Sequence, residues 1–445
     1  MPIQFDQLHA PLNLQSPKIR RQIAPILDYT QGFILEKHRR DFIANILLRF
    51  SSTDLPKIRR ALASLPAALK ILSVAQLLAE GVVIHASLAA GLPVAALPAI
   101  AFAGLSAHGV AALALRFPSM PIAFRQGFKS RLISMPGRAD TSAWHQPWAS
   151  APVDALIVIA AASASDLAKA TSALRTHWQS IAKIDVESGS VLRLPSANPL
   201  EKGSPIEHFG FADGNSQPEF FIGKNTRTPA WKSTFDPAMN LARILVPEKL
   251  PVQSADRFGS YLAYLKIEQH LDRFKAATTR LSTSACPMSK VQAGQMIMGR
   301  TREGKQLVHP SRDENDFSAD DDPKGVKWPF ASHTRKMNSR ESGESATRIL
   351  RRGVPYEEGN QKGLLFQSFQ ASLQDQFEEI YFNWADQPHH PKDETGSDPV
   401  IGRTLETPLK FPSTCPRGIK IADLTTLRGG EYFYFPSITA LQALS

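Results

Sequence analysis

The sequence predicts an α+β fold made of two ferredoxin-like domains, with antiparallel sheets backed by helices. Three observations predict it. An apolar strand-like run followed by a helical stripe occurs four times. The four units start about every hundred residues, too widely for a solenoid but suited to two duplicated domains with two strand–helix units each. A polar stretch, Gly223 to Val252, with Pro229, Pro237, Pro247 and Pro251, separates the second unit from the third. The expected division is an N-terminal arm over 1–27, a first domain over 28–235 and a second over 253–445.

The first unit is Phe42 to Phe50 (FIANILLRF), stopped by Ser51-Ser52-Thr53-Asp54 and followed by Pro56 and the stripe Ile58, Leu62, Leu65. The second is Ala155 to Ala160 (ALIVIA), with Ser165 as the expected helix cap and the stripe Leu167, Ala170, Leu174, Trp178. The third is Ser260 to Ile267 (SYLAYLKI) and a helix to about Thr278. The fourth is Leu364 to Phe369 (LLFQSF) and the stripe Leu373, Phe377, Ile380, Trp384. A last strand, Glu431 to Phe435 (EYFYF), precedes a short closing helix.

Composition narrows the class. Of 445 residues, 43% are hydrophobic and 21% charged, an ordinary globular balance. Lys and Arg number 51 against 41 Asp and Glu, a net charge of +10. The excess is spread along the chain, which argues against a nucleic-acid stripe and for attraction of anionic ligands. With two cysteines, Cys286 and Cys415, neither a disulfide framework nor a four-cysteine metal site can form. A single disulfide is possible, and nothing in the sequence favours it. The first residues (MPIQFDQLHAPLNLQ) lack a secretory signal, so a cytoplasmic location is expected. Ala86 to Ser106 carries no charge over 21 residues, yet holds Pro93, Pro98, Gly91 and Gly104. It reads as buried loop, strand and helix start, not as a membrane span.

Common signatures are missing: GxGxxG, GxSxG and HExxH do not occur, and Gly299 to Gln306 nears a phosphate loop but ends on Gln306 where a hydroxyl is needed. A calcium loop from Asp320 would place Lys324 and Ala331 at ligand positions, so Asp313 to Pro329 reads as a solvated acidic loop. The adjacent pair His389-His390 reads as exposed loop. Three stretches remain: Gly210 to Pro218 (GFADGNSQP), with Asp213 bracketed by glycines; Pro329 to Asn338 (PFASHTRKMN), with a single His333; and Arg348 to Tyr356 (RILRRGVPY). Alone, each has an ordinary explanation: a turn aspartate, a structural histidine, surface arginines.

Together, in this order and spacing, they resemble the dye-decolourising peroxidase family. GFADGNSQP resembles its G-x-x-D-G motif, PFASHTRKMN its proximal-histidine segment and RILRRGVPY its distal-arginine segment. Asp28 to Phe50, Phe258 to Phe274 and Leu427 to Leu441 also match, so the resemblance runs from Asp28 to the C-terminus and fits the longer-chain branch best. Ser339 and Glu357-Glu358 depart from the pattern, and the match is thinnest over Leu65 to Leu115.

The resemblance implies one haem b per chain in the second domain, with His333 as axial iron ligand and Asp398 as a candidate partner for its other ring nitrogen. It implies Asp213 as general base and acid and Arg351 as the fixed charge that helps break the O–O bond, in preference to Arg352, which would face a propionate or solvent. Leu364 and Phe369 would wall the pocket. The implied activity is reduction of hydrogen peroxide with one-electron oxidation of dyes, phenolics or other organic donors through a high-valent iron–oxo state. Bulky donors would react at the surface through Trp384, Tyr381 or Tyr356, although Trp384 also reads as core. The alternative is a haem-binding or haem-delivery protein on the same fold. No nucleic-acid or membrane partner is expected, and the oligomeric state stays open.

Overall fold

The computed structural model describes residues 12–51, 53–136, 138, 140–196, 202–214, 217–222, 238–250, 256–309, 311, 317–341, 344–403, 408–421 and 423–444. Residues 1–11 of the expected arm, 223–237 and 251–252 of the expected linker, and 313–316 of the acidic loop lie outside the described residues.

The first half opens with α1 (Pro17–Tyr29), where Ser16 accepts from the Ile19 N–H. It continues through β1 (Phe42–Phe50), α2 (Leu55–Ala68), α3 (Val74–Ala89), β2 (Ile100–Leu105), α4 (Ile122–Ile133), β3 (Ala155–Ala161), α5 (Ala164–Trp178) and β4 (Ala182–Ser190). The second half holds β5 (Phe258–Gln269), α6 (Leu271–Ser282), α7 (Lys290–Met298), α8 (His333–Met337), β6 (Leu350–Arg351), β7 (Val354–Glu358), β8 (Gln361–Gln370), α9 (Leu373–Trp384) and β9 (Thr425–Phe435). The strand order is β2-β3-β1-β4 in one half and β6-β8-β5-β9 in the other. Both read second, third, first, fourth in chain order, which is the ferredoxin-like permutation of a βαββαβ unit. The two halves are joined: Tyr434 of β9 bridges Leu105 of β2, so one ten-stranded sheet runs through the molecule.

That sheet folds over on itself. Gln367 of β8 donates to Asn45 Oδ1 of β1 at 2.9 Å, and Tyr264 of β5 donates to Glu187 of β4. Burial raises the Glu187 carboxyl above its ordinary range, against the pull of Lys266, Tyr264 and Trp148. At the closing edge a Cβ on Gly189 would lie 2.5 Å from the Pro355 carbonyl, so β4 meets β7 backbone to backbone. Phe33, Phe102, Phe369 and Phe435 fill the interior between the halves, with ring centroids 5.1–5.6 Å apart. On the outer face of the second half, α4 and α9 pack through Phe128, Phe377, Tyr381 and Tyr432.

Several expectations need correction. The helix after β3 is capped by Ser163, whose hydroxyl accepts from the Asp166 N–H, not by Ser165. Of Ala86 to Ser106, only β2 and Ser106 after it are buried; the loop before β2 is open, with Leu92 57% exposed. Among the described residues no helix is long and apolar enough to cross a membrane. Cys286 and Cys415 form a disulfide, with Cα atoms 6.0 Å apart. In the acidic loop Asp322 is buried and accepts the N–H groups of Val326, Lys327 and Trp328 at 2.9, 2.9 and 2.7 Å, so it organises the turn instead of being solvated. His390 is half-buried and stacks on Trp384 at 4.6 Å, while His389 is exposed as expected.

α4 is kinked at Gly127, whose φ of 74° only glycine adopts cheaply. The kink brings the Phe128 N–H to Glu431 Oε1 at 2.8 Å, where Tyr432 N–H also donates at 2.7 Å. Burial pushes the Glu431 carboxyl up from 4.5 to about 7, against those two donors and His108. The folded protein therefore holds a proton that the unfolded chain releases. Its contribution to stability is complete below about pH 4.5 and is lost as pH rises through about 7. Urea midpoints measured across that window should fall with pH in the wild type and fall less steeply in Glu431→Gln; equal slopes would assign the titration to another group.

Candidate active site

His333 is the first residue of α8, seated by Ser332, whose hydroxyl donates to the Met296 carbonyl of α7 at 2.6 Å. Its Nδ1 lies 2.9 Å from Asp398 Oδ2. Asp398 is wholly buried, and its other oxygen accepts the N–H groups of Val400 and Ile401 at 2.8 and 2.7 Å. Burial alone would push this carboxyl up, but the charge and hydrogen bond of His333 and the two backbone donors outweigh it and hold it below the ordinary range. A carboxylate can only accept, so the shared proton sits on Nδ1 and Nε2 keeps its lone pair for a ligand. The imidazole is 24% exposed, which leaves that nitrogen reachable.

The loop carrying Asp398 is tied to α8 by Lys336. Its ammonium donates to the carbonyls of Gln387, His390 and Gly396 at 2.7, 2.7 and 2.8 Å. Burial lowers its pKa to about 8, partly offset by Asp398 and Asp386.

Asp213 stands on a loop shaped by Glu207. The Glu207 carboxylate accepts the N–H groups of Phe209 and Phe211 at 2.7 and 3.0 Å and is bonded by Gln269 of β5. Gly214, at φ 65°, comes so near the turn of residues 301–304 that a Cβ on Gly304 would lie 2.8 Å from its nitrogen. Arg351 on β6 reaches this loop: its Nη2 lies 2.9 Å from Asp213 Oδ1. Both side chains keep access to solvent, at 38% and 48% exposed. The backbone ahead of Arg351 is held by α9, where Gln376 donates to the Arg348 carbonyl at 2.7 Å.

Strand register sorts the expected pocket walls. Arg351 pairs with Ser368 and Leu350 with Phe369. Side chains alternate along β8, so Leu364, Phe366 and Ser368 share the face of Arg351, and Phe369 points to the opposite face. There Phe369 packs on Phe33 and Phe435 as interior core, away from the Asp213–Arg351 pair. Phe366 is the partner that Leu364 has on this face. Arg352 points away from Arg351, its Nε donating to the Phe33 carbonyl at 3.0 Å, and is half-buried. Trp384, Tyr381 and Tyr356 are all buried, so none of them meets a bulky donor directly, and Trp384 sits in the core as its helix stripe predicts.

Two further features have no sequence signature. An apolar cluster joins Phe211, beside Asp213, to Ala331, beside His333, through Phe274, Ile297 and Val400. Next to the Asp213 loop, Arg300 donates to the Gly304 carbonyl at 3.2 Å, and Arg340 lies 3.7 Å over the Phe317 ring. Burial, with Arg300 and Arg348 nearby, drives the Arg340 pKa well below its ordinary value. A histidine with one free nitrogen, an apolar lining and a set of convergent guanidiniums suit a flat apolar macrocycle with two carboxylates, so the residues present fit haem.

The comparisons agree. The family description "Dyp-type peroxidase, C-terminal" matches residues 240–395. The "Multifunctional dye peroxidase DyP2" of Amycolatopsis sp. (strain ATCC 39116 / 75iv2) is 31% identical over 471 residues, covering 95% of this chain and 97% of the relative. "Peroxidase 2" of Mycetinis scorodonius is 26% identical over 69% of this chain and 68% of its own. Among solved structures, the DyP-type peroxidase AnaPX of Anabaena sp. superposes with a TM-score of 0.85 at 28% identity, covering 98% of this chain and 97% of that one. The chain belongs to the dye-decolourising peroxidase family and is a haem peroxidase. The haem-delivery alternative is not favoured.

Lys336→Met removes the donor to three carbonyls at once. The variant should lose on the order of 3 kcal/mol of stability, read from urea unfolding of the haem-free protein, and should retain haem less well. Unchanged stability would mean that the three carbonyls find other partners.

Proposed function

We propose that His333 would hold the iron of one haem b through Nε2, that Asp213 and Arg351 would act on the incoming peroxide, and that Leu364 with Phe366 would limit access there to small peroxides. The observation that carries this reading is the His333–Asp398 contact, because a buried carboxylate on Nδ1 makes Nε2 a basic ligand. Haem, when bound, supplies the redox centre at which hydrogen peroxide is reduced and organic donors such as dyes or phenolics are oxidised. The protein supplies proton handling and charge. An oxygen of the Asp213 carboxylate takes the proton of the incoming peroxide and returns it to the departing oxygen. The Arg351 guanidinium stays charged throughout and holds the negative charge that develops as the O–O bond opens. The two are joined by an ion pair 2.9 Å long, which sets the guanidinium beside the carboxylate that would carry the proton.

The chain division into 1–27, 28–235 and 253–445 belongs to the same proposal, supported by the repeated strand permutation. The Cys286–Cys415 bridge argues for oxidising surroundings and against the expected reducing cytoplasm.

His333→Ala should fold, with circular dichroism near wild type, and should hold little haem, because the ligand is lost while the sheet is untouched. Full haem content with unchanged iron coordination would exclude His333. Asp213→Asn should slow the first peroxide step by ~10²- to 10⁴-fold and abolish its acid limb. Arg351→Leu should slow it by on the order of 10²- to 10³-fold and move the limb to higher pH, since the cation favouring ionised Asp213 is gone. Stopped-flow rates from about pH 3 to 8 separate the two; an Asp213→Asn protein with wild-type rates and the same limb would rule out Asp213 as proton carrier.

A further inference from the structure

Gln217 closes a ring around the reactive pair. Its Nε2 donates to Asp213 Oδ2 at 2.7 Å, and its Oε1 accepts the backbone N–H of Arg351 at 3.0 Å. The third side is the ion pair from Arg351 Nη2 to Asp213 Oδ1, 2.9 Å long. The orientation of the carboxamide is fixed by its neighbours: a carboxylate offers only acceptors and a backbone N–H only a donor, so the NH₂ must face Asp213.

We propose that Gln217 is a positioning residue of the peroxide step, locking the Asp213 carboxylate to the backbone of β6 so that base and guanidinium move as one unit. The inference rests on the roles given above to Asp213 and Arg351. An exposed aspartate on a glycine-flanked turn samples several rotamers, and its ion pair alone would fix little at nearly half exposure. The second, uncharged tether ends on the backbone N–H of Arg351, a fixed point of the strand. It has a chemical effect as well: a donor on Oδ2 favours the ionised carboxylate, the form that accepts a proton. Gln217 does not touch the peroxide; it acts through Asp213.

Among the described residues, charged groups stand around Asp213 on three elements. Arg351 comes from β6. From the turn of residues 300–304, Arg302 lies against Gly210, its carbonyl accepting the Ala212 N–H at 2.9 Å, and Arg300 donates to the Gly304 carbonyl. On the loop itself, Glu207 is committed to the Phe209 and Phe211 N–H groups. A change at Gln217 leaves all of them in place.

Gln217→Glu is the informative variant. It keeps the size of the side chain and an acceptor for the Arg351 N–H, but brings a second carboxylate where the amide donor was. Two carboxylates at that distance share a proton, so the pair ionises at higher pH. The haem-loaded protein is tested in two ways: the pH profile of the first peroxide step, and the pH profile of cyanide binding to the ferric state, read from the Soret shift, where the same base accepts the proton of HCN. Gln217→Glu should move both acid limbs upward by about one pH unit, roughly tenfold lower rate and affinity below the limb, with unchanged haem content and circular dichroism. Gln217→Leu, which severs both tethers, should slow the peroxide step at every pH. Asp213→Asn serves as the control. If that control loses the limb while Gln217→Glu keeps it at the wild-type pH, Gln217 has no positioning role. If the control itself keeps the limb, the reading of Asp213 fails, and the role of Gln217 with it.

Discussion

The site depends on one buried charge. Asp398 has no exposure to solvent, and an isolated carboxylate there would cost several kcal/mol. Three donors make it tolerable, the His333 ring and two backbone N–H groups on its oxygens, and its own N–H donates to the Ala385 carbonyl at 2.7 Å. Each contact fixes a segment. The first sets the plane and tautomer of His333, the next two shape the turn to Ile401, and the last ties that turn to the end of α9. Because α9 also holds the Arg348 carbonyl through Gln376, the constraint reaches the segment that leads to Arg351.

The fold supplies the frame for that constraint. Two halves with one strand permutation share a continuous sheet, and the sheet closes on itself through Asn45–Gln367 and Tyr264–Glu187. Folding over consumes one face of β8 in the interior and leaves the other for chemistry. One strand thus carries Phe369 into the core and presents Leu364 and Phe366 beside Arg351.

Sequence legibility followed the same division. Strands buried on both faces, such as Phe42–Phe50 and Ala155–Ala161, are continuous apolar runs and were read to within a residue. The edge strand Ala182–Ser190 (AKIDVESGS) is polar and half-exposed and gave no such signal. β9 was read only from Glu431, because its first half, Thr425 to Gly430, carries polar residues, two glycines and a register shift opposite Lys266/Ile267. The reactive residues are legible as motifs only through family resemblance, and Phe369 lies in an apolar run whose two faces only strand alternation separates, which points to Phe366 as the wall. Glu207, Lys336 and Arg340 were invisible, since a buried charge looks like a surface charge until its partners, distant in sequence, are known. The disulfide was unreadable for the same reason: Cys286 and Cys415 are 129 residues apart.

The two carboxylates of the site show why partial burial is a design variable here. Asp398 is sealed and acceptor to three fixed donors, so its charge is permanent and its geometry rigid, which is what a ligand-orienting group requires. Asp213 is 48% exposed, on a loop, with one charged partner that is itself 38% exposed. In the role proposed for it, Asp213 takes up and releases a proton on every turnover, and a group that does so cannot be sealed, because the exchange needs a path and both protonation states must be close in energy. Openness, however, weakens the ion pair with Arg351, since solvent screens it. The site answers with constraints on the backbone in place of further charges: Glu207 holds the loop by its N–H groups, and Gly304 packs against Gly214. Rigidity is thus supplied to Asp213 from behind, by groups that leave its side chain 48% exposed.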